Sequence, residues 1–123
     1  MLGNEYQKLA TRTNDGLSTE RLADYNPDEY FDVGGTINAC LGLAGEAGEL
    51  NDMVKKSIFH EKKMDFEHLK KELGDVMWYV ALFCESMRWN LDEILQMNVD
   101  KLKARYPDGF DVEKANNRRE GDV

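Results

Sequence analysis

Two short acidic motifs are the residues best suited to chemistry in this chain: Glu46-Ala47-Gly48-Glu49 and Glu72-Leu73-Gly74-Asp75. In each, two carboxylates stand three residues apart, and on a helix that spacing makes them near neighbours on one face. Like charges so placed repel by about a few tenths of a kcal/mol on a solvated helix, and by more where water is excluded. A bound cation would offset that cost. Four carboxylates without thiolate or imidazole at ligand spacing form a hard oxygen donor set, suited to Mg²⁺ or Mn²⁺ and poorly suited to Zn²⁺. A di-iron bundle would require Glu-x-x-His pairs, and neither His60 nor His68 follows a core-facing glutamate by three residues.

The elements that must position these groups are helical. Proline occurs only at Pro27 and Pro107, and between them apolar residues recur at helical period without the alternation of strands, so the fold class is all-α. A first helix is expected over about 4–12, then a polar connection running through Asn26-Pro27-Asp28 to Gly34-Gly35. A second helix over about 36–58 places Cys40, Leu43, Ala47, Leu50, Val54 and Ile58 in one apolar arc, with Glu46 at its edge and Glu49 one step further round. A third over about 66–88 carries the stripe Leu69, Leu73, Val76, Val80, Phe83 and Met87, with Glu72 and Asp75 beside it. A hairpin of these two helices would bring the acidic pairs together.

Gly42, Gly45 and Gly48 each cost the second helix roughly 1 kcal/mol relative to alanine. Three at this spacing imply close approach, either of a neighbouring helix or of a ligand beside the carboxylates, and the two readings are compatible. A fourth helix is signposted by Asn90 as N-cap with Glu93 three residues on. It should end near Arg105, with Asn98, Lys101 and Arg105 forming an inward cationic strip. Such a strip beside a cation held by carboxylates could handle phosphates, balancing the charge that develops on transferred and leaving groups. Each part also has a plainer reading: a solvated acidic face, a register-fixing Asn98, and basic partners of a helix C-terminus.

At 123 residues the chain is the length of one domain, expected over 1–110 with a polar C-terminal tail over 111–123. Long apolar stripes on so small a subunit favour self-association. With 16 basic against 24 acidic residues, a net charge of −8, a nucleic-acid polymer is not an expected partner. No apolar run reaches membrane-spanning length and the opening residues lack a signal-peptide pattern, so a cytoplasmic protein with no membrane partner is expected. Cys40 and Cys84, without Cys-x-x-Cys spacing, read as reduced core thiols.

The run Gly42-Leu43-Ala44-Gly45-Glu46-Ala47-Gly48-Glu49-Leu50, with a spacer of 22 residues (50–71) between Glu49 and the second motif Glu72-Leu73-Gly74-Asp75, resembles the MazG-like nucleoside triphosphate pyrophosphohydrolases, whose pattern is Glu-x-x-Glu, a spacer, then Glu-x-x-Asp. Lys101-Leu102-Lys103-Ala104-Arg105-Tyr106-Pro107-Asp108-Gly109-Phe110 looks like the family's basic C-terminal signature, and Asn4-Glu5-Tyr6-Gln7 fits single-domain members. The resemblance implies a bundle of about four helices completed by subunit association, as a homodimer or homotetramer. It implies Mg²⁺-dependent hydrolysis of a nucleoside triphosphate to monophosphate and pyrophosphate, by water attack at the α-phosphorus, with Mn²⁺ as a substitute. Glu46, Glu49, Glu72 and Asp75 would hold the metal, one serving as base, while Asn98, Lys101, Arg105 and, more weakly, Lys56 would contact phosphates. Candidates for the base pocket, Tyr30, Phe31, Phe59 and Trp78, are mostly accounted for by core packing. The alternatives are a non-catalytic nucleotide-binding module of the same fold and a purely structural helical oligomer.

Overall fold

The computed structural model describes residues 1–25, 31–118 and 121, and among them every regular element is helical. Helix α1 spans Gly3–Ala10 and runs into a 3₁₀ turn over Thr11–Thr13. Asn14-Asp15-Gly16 then turns the chain: Asn14 Oδ1 accepts from the Gly16 N–H and Asp15 Oδ1 from the Leu17 N–H, both at 3.0 Å, with Gly16 at φ +76°. The expected polar connection is not wholly irregular. It contains α2, Ser18–Asp24, whose Arg21 pairs with Asp15; Asn26, Pro27 and Asp28 lie outside the described residues.

Helix α3 spans Val33–Phe59 and begins three residues before the expected start. Asp32 is the cause, because its Oδ1 accepts from the Gly35 N–H at 3.0 Å and caps the helix. Gly34-Gly35 is therefore first-turn helix and not the end of a connection. The Asp32 N–H donates to the Ser86 carbonyl at 2.8 Å, which ties the start of α3 to the end of α4, Phe66–Met87. The two helices consequently run antiparallel, as the hairpin reading requires.

Their seam differs from the expected stripes by about one helical step. The at least half-buried positions, which also include the expected Ala47, Val80 and Met87, contain on α3 the series Thr36, Ala39, Leu43, Glu46, Leu50, Met53 and Ser57 and on α4 the series Leu69, Glu72, Val76, Tyr79, Phe83 and Ser86. Both follow alternating steps of three and four, the spacing of a coiled-coil seam. Glu46 and Glu72 are members of that seam, not residues at its edge. Val54, Ile58 and Leu73, expected inside, are exposed. So is Cys40, and only Cys84 is a buried thiol.

Helix α4 ends at Arg88, a left-handed residue with φ 58°, after which the Trp89 N–H donates to the Cys84 carbonyl at 2.9 Å. Helix α5, Leu91–Arg105, is capped by Asn90, whose Oδ1 accepts from the Asp92 N–H at 2.9 Å; Glu93 does not complete the expected reciprocal box. This helix does not pack along α3 or α4 as those two pack along each other. Within the tail, Asp111 caps a short helix α6, Val112–Asn116. Among the described residues no helix is long and apolar enough to cross a membrane.

Candidate metal and nucleotide site

The acidic motifs meet where α3 and α4 cross. One carboxylate oxygen from each of Glu46, Glu72 and Asp75 lies within 4.8 Å of the other two. Glu49 stands outside that three-way group, on the exposed side of α3, and lines the adjoining cavity. The four sequence-marked carboxylates thus form a cluster of three plus a fourth at the cavity wall.

The electrostatics follow from this crowding. Burial raises the Glu46 carboxyl above the ordinary 4.5, and the charges of Glu49, Asp75 and Glu72 push it further in the same direction. Glu72 is largely sheltered, its side chain only 13% exposed. Its Oε1 lies 2.7 Å from His68 Nε2, while its Oε2 is buried and accepts no hydrogen bond from any described residue. A buried acceptor without a donor is costly in an apolar setting. The donor set therefore fits a hard divalent cation, which would satisfy that oxygen and cancel the mutual repulsion.

Beside the cluster lies a cavity of about 520 Å³, walled by Gly45, Gly48, Glu49, Asp52, Met53 and Lys56 of α3, by Lys62, Lys63, Met64 and Asp65 of the connection, and by His68 and Glu72 of α4. Lys56 is paired with Asp52 at 2.7 Å, and this contact holds the Asp52 carboxyl below the ordinary range. The cavity wall thus carries four carboxylates, Glu49, Asp52, Asp65 and Glu72, and three lysines. The glycines divide between the two readings of their spacing. A Cβ on Gly42 would fall deep inside the Tyr79 ring, so that position serves helix packing; Gly45 and Gly48 have open space before them and face the cavity.

Among the phosphate-contact candidates, only Lys56 lines this cavity. Asn98 and Lys101 are exposed on α5, and Arg105 lies with its guanidinium 6.0 Å from the Tyr106 ring centroid. Among the described residues α5 does not pack along α3 or α4 as those two pack along each other, so Asn98 and Lys101 do not line the cavity within one chain. Among the aromatic candidates, Phe59 and Trp78 are exposed, Phe31 meets Tyr25 edge-on at 6.1 Å, and Tyr30 lies outside the described residues. Core packing therefore does not account for Phe59 or Trp78. Spacing to preceding glutamates gives His68 no role; the usable signal is the forward one, His68-Leu69-Lys70-Lys71-Glu72, which puts an imidazole one turn before a carboxylate.

Residues 36–110 match the MazG nucleotide pyrophosphohydrolase domain, and the chain belongs to that family. It is also 36% identical over 91 residues to the Gene 37 protein of Mycobacterium phage L5, a similarity covering 70% of this chain and 79% of the phage protein. No solved structure matches the chain significantly.

Proposed function

We propose that the protein hydrolyses nucleoside or deoxynucleoside triphosphates to the monophosphate and pyrophosphate, with Mg²⁺ as cofactor and Mn²⁺ able to replace it. The observation that carries this reading is the convergence of Glu46, Glu72 and Asp75 across two helices, with a buried Glu72 oxygen that no described residue satisfies, beside a cavity lined by Glu72 and by Lys56, Lys62 and Lys63. Glu46, Glu72 and Asp75 hold the ion, with Glu49 joining them or serving the water. Bound there, Mg²⁺ would activate the attacking water and neutralise charge building on the α-phosphate and the pyrophosphate leaving group. Glu49, at the cavity wall and outside the three-way group, is placed to take the proton of the attacking water. Lys56, Lys62 and Lys63 line the path open to the outer phosphates, and Gly45 and Gly48 leave room for them.

The reading includes self-association as a homodimer or homotetramer, in which Asn98, Lys101 and Arg105 contact phosphates from the assembled bundle. It is supported by the apolar residues that one chain leaves in water, among them Leu41, Ile58, Met77, Trp78 and Leu95. Its setting is the cytoplasm, where nucleotide pools are held. The test is release of monophosphate and pyrophosphate from the canonical ribo- and deoxyribonucleoside triphosphates in Mg²⁺, Mn²⁺ or chelator. Metal-dependent appearance of both products is expected; binding of a magnesium nucleotide with neither product released would assign the chain to a non-catalytic nucleotide-binding role.

A further inference from the structure

We propose that His68 is a positioning residue for the metal: its Nε2–H holds one oxygen of Glu72 so that the other is presented to the cation. The inference rests on the metal-site reading above. An ionised carboxylate only accepts hydrogen bonds, so the 2.7 Å contact between His68 Nε2 and Glu72 Oε1 makes the imidazole nitrogen the donor. The consequence appears at the other oxygen. Glu72 Oε2 is buried with no hydrogen-bond donor among the described residues, and a Glu72 carboxylate oxygen lies within 4.8 Å of oxygens of Glu46 and Asp75. A free glutamate has three torsions with which to relieve such an orientation; a hydrogen bond at Oε1 removes that freedom.

Other ion pairs on these helices differ in kind. Lys70 and Glu67 are both largely in solvent, and Asp52 meets Lys55 and Lys56 with half-exposed partners on either side. Among the described residues, only at His68 does an exposed donor restrain a sheltered carboxylate, 55% against 13%. The donor is itself anchored, because the His68 N–H donates to Asp65 Oδ1 at 3.0 Å in the cap of α4. That cap fixes the helical start from which the imidazole reaches one turn forward. Hydrogen-bonded partners of this sort orient metal ligands and change metal affinity by roughly 10–100-fold when removed.

The chain also suggests its own control. Gln96 Nε2 donates to Asp100 Oδ1 at 2.8 Å across four residues of α5, so glutamine at position 68 can make the same contact to Glu72. The experiment is titration of the intact protein with Mn²⁺ alone, followed by the loss of free-ion electron paramagnetic resonance signal, for wild type, His68→Leu, His68→Gln and Glu72→Gln, with circular dichroism of each. His68→Leu should weaken Mn²⁺ binding at least about tenfold, His68→Gln should stay within about threefold of wild type, and Glu72→Gln should lose the site. Should His68→Leu not fold, His68→Ala carries the same comparison. Wild-type affinity in the folded leucine or alanine variant, with Glu72→Gln still defective, overturns the positioning role and leaves the metal site standing. Absence of binding by wild type overturns both.

Discussion

Gly42 of α3 lies face to face with the Tyr79 ring of α4, so close that no Cβ fits between them. This contact sets the separation of the two helices just one turn from Glu46 and from Asp75, and the distance across the acidic cluster depends on it. Gly42→Ala gains about 1 kcal/mol in helix propensity but overpacks the crossing, at about 1–3 kcal/mol. A net loss of stability, together with weakened metal binding, is expected in thermal melts with and without Mg²⁺.

Gly45 and Gly48 should behave oppositely. Both open onto the cavity, with empty space where a Cβ would stand, so alanine at either should stabilise the metal-free protein by up to about 1 kcal/mol. If the cavity receives the triphosphate, the same substitutions should raise KM while the melting temperature rises. A rise in melting temperature with unchanged kinetics would remove these glycines from the substrate path.

Mg²⁺ should raise the melting temperature of the wild type, by an amount equivalent to about 2.7 kcal/mol at a hundred times its Kd. Glu72→Gln and Asp75→Asn should abolish the shift while keeping the helical circular dichroism. Glu49→Gln separates two roles: because Glu49 lies outside the three-way group, it should retain more of the Mg²⁺ shift than Glu72→Gln and still lose most turnover.

The raised proton affinity of Glu46, caused first by burial and then by Glu49, Asp75 and Glu72, has a defined pH signature. A carboxyl whose folded-state pKa lies above its unfolded value favours the fold when protonated. That contribution is complete below the unfolded value and is lost as pH rises through the folded one. In chelator, Glu46→Gln should therefore equal the wild type in acid and exceed it in melting temperature at neutral pH. In Mg²⁺ at neutral pH the order should reverse, since only the carboxylate binds the ion.

Self-association should be visible as a concentration-dependent mass in sedimentation equilibrium. Leu41 and Trp78 are 70% and 71% exposed in one chain; lysine at both positions should shift the equilibrium toward the monomer without loss of the α3–α4 hairpin. A monomeric wild type at all concentrations would instead leave Asn98 and Lys101 without a route to the site.

What the linear chain determined by itself was the local part: the long helices α3, α4 and α5 to within a few residues, and two carboxylate pairs each on one side of its helix, because i to i+3 geometry is a property of one helix. Asp32 and Asp65 show the limit of that reasoning, since a cap moved the start of α3 back to Val33 and brought the backbone of His68 under control. Which arc of each helix faces the other could not be read from periodicity alone. Apolar residues on α3 and α4 cover more than one arc, and packing at Gly42–Tyr79 and Gly35–Ser86 selected the seam that contains Glu46 and Glu72. That rotation by about one residue put Glu46, Glu72 and Asp75 in one three-way group with Glu49 beside it and Lys56 on the cavity wall, because those outcomes depend on how two helices meet and not on the order of residues along either one.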